Sequence, residues 1–239
     1  MGQRKPVRFG VLAATAFAVV PVLVGVGVSQ LGSAEPRANA QTEVQPATTV
    51  AAPTTPKLPS AGELQRRLQQ LGHQVREVTG TIDAETRHAI VAFQKVQGLP
   101  RTGEVDEATA EALDDPRAPV IRSAAAGFHI EVDLTTQVVY TVVDGVLDKI
   151  YDASTGQEPA KATPEGEFAI LYQIDGMRYA RLGPMYRPSY FTYDGVAFHG
   201  AEPVEPQPAS NGCVRLTDPS VDELFGLLTP GTKVIVHRS

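Results

Sequence analysis

The stretch that most constrains this chain runs from Phe198 to Leu216 and contains its only cysteine, Cys213. A histidine, His199, precedes that cysteine in a Phe-His-Gly context, and the cysteine itself follows directly on Ser-Asn-Gly. A thiol attacks a carbonyl as a thiolate, and a free cysteine with a pKa of about 8.5 is mostly protonated at neutral pH. It therefore needs a base, and an imidazole with an unperturbed pKa of about 6.5 is the natural candidate. The pattern predicts that His199 activates Cys213.

The turn before the cysteine supplies a second chemical feature. Gly212 lets the backbone fold tightly, so the amides of Asn211, Gly212 and Cys213 can converge on a developing oxyanion. On composition alone, a lone cysteine is more often a small buried apolar residue than a nucleophile. The flanking residues favour the nucleophile.

The order His-Gly, a spacer and then Ser-x-Gly-Cys-x-Arg resembles the active-site signature of the L,D-transpeptidases, whose catalytic domain is of the YkuD type. The resemblance implies that Cys213 is the nucleophile and His199 the base, with the carbonyl of Gly200 orienting the imidazole. That family usually carries a second histidine just before the Gly-Cys pair, where this chain has Asn211. The order also differs from that of papain-like enzymes, in which the cysteine precedes the histidine.

A segment rich in aromatic residues, 183–194, precedes the histidine and contains two prolines. Because an interior strand does not tolerate two prolines, we predict a loop or lid over the site. Met185, Tyr186 and Tyr190 then line the groove that receives the donor substrate. The alternative is that these side chains form a satellite core.

Two polar residues beside the cysteine are further candidates for substrate binding, Ser210 and Arg215. Arg215 has two interpretations: it meets a substrate carboxylate, or it pairs with Asp218 or Glu223. A single cysteine excludes a disulfide within the chain and a thiolate-rich zinc site. The family resemblance implies that the chemistry needs no metal or cofactor.

The N-terminal segment is typical of an exported protein. A basic patch within the first eight residues is followed by residues 9–28, which carry no charge. Twenty residues span roughly 30 Å as a helix, about one bilayer core. Residues 1–32 are therefore predicted to be a signal peptide or a membrane anchor, and small residues after them leave cleavage open. Residues 33–59, dominated by Ala, Pro and Thr, are predicted to be a disordered linker.

Residues 60–114 have a helical period, and two segments within them repeat. The segments that begin at Gly80 and Gly103 both read Gly-x-(Ile/Val)-Asp-x-x-Thr-x-x-Ala-(Ile/Leu). The pattern predicts a tight glycine turn followed by an aspartate that caps a helix. With the F-Q-x-x-x-G-L run at 93–99, the module resembles the three-helix peptidoglycan-binding domain, which implies glycan as a partner. His73 and His88 are interpreted as surface or cap residues.

From Phe128 onward the pattern becomes alternating and β-branched. It predicts an α+β multidomain chain whose catalytic domain, 122–239, is mainly antiparallel and sandwich-like, with one helix at 218–228. A boundary with the helical module is expected at 114–119. Asp144-Gly145 is a hairpin signal, and the T-P-x-G-x-F run at 163–168 resembles a strand entry of the same family. Strands are predicted at 128–134, 137–143, 146–153, 196–199 and 232–237.

The resemblance implies an exported enzyme that acts on peptidoglycan stem peptides. Cys213 attacks the amide before the terminal D-Ala of a tetrapeptide stem, and an amine of a neighbouring stem takes the acyl group to give a 3→3 crosslink. Water as acceptor (an L,D-carboxypeptidase), another amine, or a non-catalytic wall-binding protein remain alternatives. A net charge of −6 shows no nucleic-acid footprint. A membrane is a partner if the N-terminal segment is uncleaved, and the oligomeric state is open.

Overall fold

The computed structural model describes residues 58–239, which belong to one compact unit. The predicted signal or anchor segment, and all but the end of the predicted linker, lie outside the described residues. Within 58–239, none of the helices has the length and apolar character needed to cross a bilayer. The unit opens with three helices, α1 (Ala61–Gln70), α2 (Ala84–Gln97) and α3 (Glu107–Asp114).

The sequence repeat of the helical module is also a repeat of structure. Asp83 and Asp106 are the N-caps of α2 and α3, and each accepts a hydrogen bond from the amide three residues on. Gly80 and Gly103 both have left-handed backbones, with φ of 74° and 71°. The predicted glycine turns and aspartate caps are confirmed.

Two buried glutamines hold these glycine turns in equivalent ways. The side-chain oxygen of Gln65 accepts the amide of Gly80 at 2.8 Å, and that of Gln94 accepts the amide of Gly103 at 2.9 Å. Each side-chain nitrogen donates to a backbone carbonyl of its turn and to a threonine hydroxyl that follows. The module is therefore held by satisfied polar groups as well as by its small apolar cluster.

Two β-sheets and one helix follow the module, as the predicted fold class requires. The elements are β1 (Phe128–Asp133), β2 (Val138–Val143), β3 (Val146–Asp152), β4 (Gly166–Ala169), β5 (Tyr172–Gln173), β6 (Met177–Ala180), β7 (Gly183–Tyr190), β8 (Ala197–Gly200), β9 (Val214–Leu216), α4 (Asp218–Phe225) and β10 (Lys233–His237). The first sheet has the order β3-β2-β1-β10-β4, and the second has the order β5-β7-β8-β9, with β6 paired to β7. Only the β1–β10 and β8–β9 pairs are parallel among the described strands.

One apolar cluster fills the space between the two sheets and α4. Val132 and Tyr151 come from the first sheet, Phe198 and Leu216 from the second, and Leu224 from α4. All five are almost fully buried. The alternation of β8 and β9 therefore sends every other side chain away from this core, to the opposite face of the second sheet.

The prediction of a loop or lid at 183–194 is wrong for most of its length, because residues 183–190 form β7 in the interior of the second sheet. Pro184 lies opposite Tyr179 of β6, beyond the last residue of β7 that pairs with β8, and Pro188 is accommodated by an irregular ladder. Pro188 lies where the register with β8 shifts, beside Arg187, whose φ is 45°. Pro188 has no N–H to donate, and its carbonyl accepts from Ile174 at 3.0 Å.

Other elements differ from the predictions in detail. The cap of α4 is Thr217, not Asp218, and the helix ends at Phe225 rather than at 228. Predicted strand ends move by one residue at most. The Asp144-Gly145 turn has positive φ at both positions, 51° and 75°, as a type I′ hairpin requires.

The helical module packs directly on the catalytic domain. Ala92 and Val96 of α2 share an apolar cluster with Val138, Tyr140 and Ile150 of β2 and β3. The backbone of residues 72–74 pairs with the edge of β3. The two regions therefore share buried surface, which the predicted boundary at 114–119 did not indicate.

The interpretation of two histidines as surface or cap residues is wrong. His73 is buried against the edge of the Phe93 ring, and burial lowers the pKa of His73 to about 3, so it is neutral. His88 is half-buried, and its Nδ1 lies 2.7 Å from Asp152 of β3. Both histidines therefore belong to the interface between module and catalytic domain.

Glu131 on β1 is a buried carboxylate surrounded by donors. It accepts the amides of Arg122 and Ser123 at 2.8 Å, and His129 and His237 lie 3.1 and 3.2 Å from its oxygens. Burial alone raises the pKa of Glu131, but the contacts with His237, the two amides and His129 outweigh it and lower the pKa to about 2. The ionised form is therefore the one that stabilises the fold.

This arrangement predicts a specific loss of stability in acid. Because the folded pKa of Glu131 lies below the ordinary value of 4.5, its contribution is complete above pH 4.5 and is lost as the pH falls towards 2. We expect Glu131→Gln to unfold at a lower temperature than wild type at pH 7, with a smaller further drop between pH 5 and 3. Thermal unfolding followed by circular dichroism measures both. Glu111→Gln, at an exposed position of α3, is the control, and equal pH slopes for wild type and Glu131→Gln would contradict the prediction.

Candidate active site

Strands β8 and β9 place the predicted nucleophile and base on one face of the second sheet. The two strands are parallel, with Phe198 opposite Val214 and His199 opposite Arg215. Phe198 and Val214 point into the core, so His199 and Arg215 point to the other face. Cys213 lies two residues before Arg215 and shares that face, where it packs on the apolar cluster outside the main core. Neighbouring strands lie about 4.8 Å apart, so the imidazole and the thiol are diagonal neighbours.

The orientation of His199 is fixed by its own chain. Its Nδ1 lies 2.9 Å from the carbonyl oxygen of Gly200. A carbonyl can only accept, so Nδ1 carries the proton and Nε2 is left as an acceptor. Burial lowers the pKa of His199, the Gly200 carbonyl opposes this, and the charge of Arg215 lowers it further. His199 is therefore a neutral imidazole at neutral pH, which is the state a general base needs.

Only glycine fits at position 200. A Cβ there would lie 2.2 Å from an oxygen of Asp218 and 2.9 Å from the ring of Tyr186. Both approaches are closer than atoms in contact allow, so a side chain at position 200 would force Asp218 and Tyr186 to move. The His-Gly pair of the sequence motif thus has a steric reason.

The thiol of Cys213 lies half-buried beside the turn that joins β7 to β8. Its Sγ is 3.8 Å from the carbonyl oxygen of Gly195, and Met185, Tyr190 and Ala197 pack around it. Burial raises the pKa of Cys213, while the Ala197 amide and the charge of Arg215 lower it in part. The resting state is therefore a thiol beside a neutral imidazole rather than a preformed ion pair, so the proton must move during attack.

The turn before Cys213 is held together internally. The Ser210 hydroxyl donates to the carbonyl of Cys213 at 2.5 Å and accepts the amide of Gly212 at 3.1 Å. Gly212 has a φ of 119°, and its carbonyl accepts the Thr163 hydroxyl at 2.8 Å. The Gly212 amide is committed to the turn, so the amides of Asn211 and Cys213 are left as candidate oxyanion donors. Ser210 is 1% exposed, so its hydroxyl serves the turn.

The remaining candidate residues separate into two groups. Met185 and Tyr190 lie with the thiol, whereas Tyr186 faces the other side of the sheet, opposite Gly200, and its hydroxyl donates to Asp222 at 2.8 Å. Arg215 shares the face of His199 and pairs with Glu205 at 3.3 Å. The predicted partners of Arg215, Asp218 and Glu223, are not the ones it meets. Asn211 is exposed at the mouth of the turn.

No role for Asp194 or Gly195 was predicted from the sequence. The predicted loop at 183–194 is a loop only at its end, where the turn at 192–195 lies against the thiol. Its Gly195 carbonyl contacts Sγ, and the exposed carboxylate of Asp194 is near enough to raise the pKa of Cys213. The Asp-Gly pair directly before a predicted strand was an available hairpin signal. No cluster of three or more His, Cys, Asp or Glu residues suited to a metal ion occurs in residues 58–239.

Two family models match the chain. Residues 127–236 match the YkuD model, described as the L,D-transpeptidase catalytic domain, and residues 58–113 match a peptidoglycan-binding domain. No curated protein is significantly similar.

Several solved structures are similar to this chain. An L,D-transpeptidase from Xylanimonas cellulosilytica is 35% identical with a TM-score of 0.70, and the match covers 78% of this chain and 98% of that one. One from Stackebrandtia nassauensis is 26% identical with a TM-score of 0.48, covering 78% and 97%. One from Mycobacterium smegmatis is 21% identical with a TM-score of 0.42, and the chain spans 59% of its length and 47% of its own.

Proposed function

This chain belongs to the L,D-transpeptidase family, and we propose that Cys213 carries out its chemistry through an acyl-enzyme. Membership of the family, with a peptidoglycan-binding domain ahead of the catalytic one, makes peptidoglycan its substrate or partner and indicates the cell envelope as its location. Export by residues 1–32 is part of the proposal, supported by their basic and then uncharged sequence.

The first half-reaction forms a thioester. His199 Nε2 removes the thiol proton as Sγ attacks the carbonyl carbon of the amide before the terminal D-Ala. The amides of Asn211 and Cys213 stabilise the oxyanion, the C–N bond breaks, and the imidazolium returns its proton to the leaving amine. Proton transfer and oxyanion stabilisation contribute roughly 10²–10⁴-fold and 10²–10³-fold in enzymes of this kind.

The second half-reaction transfers the acyl group. An amine of a neighbouring stem attacks the thioester carbonyl, and His199 takes a proton from that amine. The C–S bond then breaks, and the imidazolium gives its proton to the leaving sulfur, which restores the thiol and the neutral imidazole. The product is a 3→3 crosslink. Water in place of the amine would release the tripeptide stem, and attachment of another amine would use the same steps.

One observation carries this proposal: His199 and Cys213 share one face of adjacent strands, with the imidazole held by Gly200 so that Nε2 is free to accept. A wall-binding protein without catalysis has no need of that arrangement. Asn211, where the family usually has a histidine, leaves this base in place. Incubation of the purified chain with tetrapeptide muropeptides, followed by mass spectrometry, tests the proposal. We expect release of D-Ala together with crosslinked dimers. Tripeptide without dimer would indicate hydrolysis, and unchanged muropeptides would refute the proposed enzymatic activity.

Asp194 gives a prediction about the choice of acceptor. Its carboxylate is exposed beside the thiol, and no ion pair engages it within the described residues. An acceptor amine is an ammonium at neutral pH and is attracted to such a charge by up to about 1 kcal/mol. We expect Asp194→Asn to lower the ratio of crosslinked dimer to hydrolysed tripeptide about threefold without slowing acylation. The same muropeptide assay measures it, with Glu111→Gln as control, and an unchanged ratio would contradict the role.

A further inference from the structure

Lys95 of α2 connects the helical module to the part of the catalytic domain that supports the active site. Its side chain is fully buried, and Nζ donates to Asp152 Oδ1 at 2.5 Å, to the carbonyl of Ala153 at 2.7 Å and to that of Gln137 at 3.0 Å. All three acceptors belong to the catalytic domain. On the outer side, His88 lies against the second oxygen of Asp152. A buried ammonium is tolerated only with such a complete set of acceptors.

The acceptors of Lys95 lie where the chain leaves β3 and runs beside β9 of the second sheet before it returns to β4. The stretch beside β9, residues 153–157, is here called the bridging segment. Gln137 fixes it from one side: its amide oxygen accepts the Thr155 N–H at 2.8 Å, and its amide nitrogen donates to the Thr155 hydroxyl at 2.7 Å. Lys95 therefore holds the start of the bridging segment and the residue that clamps its middle.

The bridging segment in turn holds both sides of the nucleophile. Ser154 and Arg215 exchange backbone hydrogen bonds at 3.0 and 2.9 Å. Before the nucleophile, the Ser210 amide donates to Thr155 at 2.9 Å, and the Gln157 amide donates to Ser210 at 3.0 Å. Cys213 thus lies between two backbone anchors, and both anchors belong to one short segment.

We propose that Lys95 is a positioning residue for catalysis, acting from the peptidoglycan-binding-like module on the turn that carries Cys213. The inference rests on the acyl-enzyme chemistry proposed above. The module is then part of the catalytic apparatus as well as a wall-binding element. A misplacement of about 1 Å at a reacting group can cost about 10²-fold in rate, so a loosened bridging segment slows attack while the nucleophile and base remain present.

The test is the rate at which a carbapenem acylates Cys213 in the full chain, followed by intact-protein mass spectrometry below the unfolding temperature of every variant. We expect Lys95→Met to lower the maximal acylation rate at least tenfold, with little change in the carbapenem concentration that gives half of it. Val96→Ala is the matched control, because Val96 lies in the apolar part of the same interface and its side chain cannot form a hydrogen bond. It should stay within twofold of wild type.

A second variant covers the case in which the single substitution does not fold. Lys95→Met with Asp152→Val removes both buried charges together, a replacement that folded proteins commonly accept. It should fold and remain slow, because the bonds to Gln137 and Ala153 are still missing. A folded Lys95→Met or double variant that reacts at the wild-type rate would overturn the inference, as would an equal loss in Val96→Ala. An unreactive wild type would overturn the proposed function together with it.

Discussion

Cys213→Ala is expected to abolish D-Ala release, crosslinking and carbapenem capture together. Removal of a covalent nucleophile costs about 10⁴-fold or more in acyl-transfer enzymes, because the remaining groups cannot form the intermediate. The fold should persist, since Cys213 is half-buried at the edge of a small cluster formed by Met185, Tyr190 and Ala197. We expect a loss of stability of about 1 kcal/mol, typical of a single substitution.

Muropeptide analysis and intact-protein mass spectrometry measure this prediction side by side. Cys213→Ser is the matched control for size, and it should also capture no carbapenem, because the serine hydroxyl is a far weaker nucleophile beside a neutral imidazole. Circular dichroism must show that both variants are folded. Turnover that survives in folded Cys213→Ala would mean that another group forms the intermediate, or that none is formed.

The parts of this structure that the sequence predicted depend on local rules. Asp83 and Asp106 cap their helices because each is followed three residues later by an amide within reach. Asp144-Gly145 forms its turn because both positions accept positive φ. The pairing of His199 with Cys213 was predicted from the motif and its chemistry rather than from a local rule, because β9, the strand that follows Cys213, was not among the predicted strands.

The parts that could not be predicted depend on partners far away in sequence. In the sequence, Lys95 resembles an ordinary solvent-exposed helix residue. Nothing in the neighbouring sequence indicates that Asp152 and Gln137 enclose its ammonium group. Arg215 meets Glu205 rather than the acidic residues that follow it along the chain, because the loop before β9 folds back over the strand. The strand at 183–190 was not predicted for a different reason: the proline rule holds for a regular ladder, and the ladder between β7 and β8 is irregular at Pro188.

The second large effect is expected in the pH dependence of Cys213 reactivity, which identifies the residue that acts as the base. Burial lowers the pKa of His199 and raises the pKa of Cys213, so at neutral pH both are uncharged. Alkylation of wild type by iodoacetamide should therefore rise as His199 loses its proton, below pH 6.5, then level off, and rise again above pH 9 as the thiolate forms by itself. His199→Ala should lose the rise below pH 6.5, here called the lower limb, and should react about 10²-fold more slowly than wild type at pH 7.

Two variants decide whether this limb belongs to His199. Asn211→Ala should keep the lower limb, because an amide takes no proton in this pH range and Asn211 cannot replace the family's second histidine as a base. His237→Gln should also keep the lower limb, because the side chain of His237 lies beside Glu131 on the first sheet. If the His199→Ala profile matches wild type, the thiol is activated by another group. If instead Asn211→Ala loses the lower limb while His199→Ala retains it, the base assignment is wrong and the proton leaves through the turn that precedes Cys213.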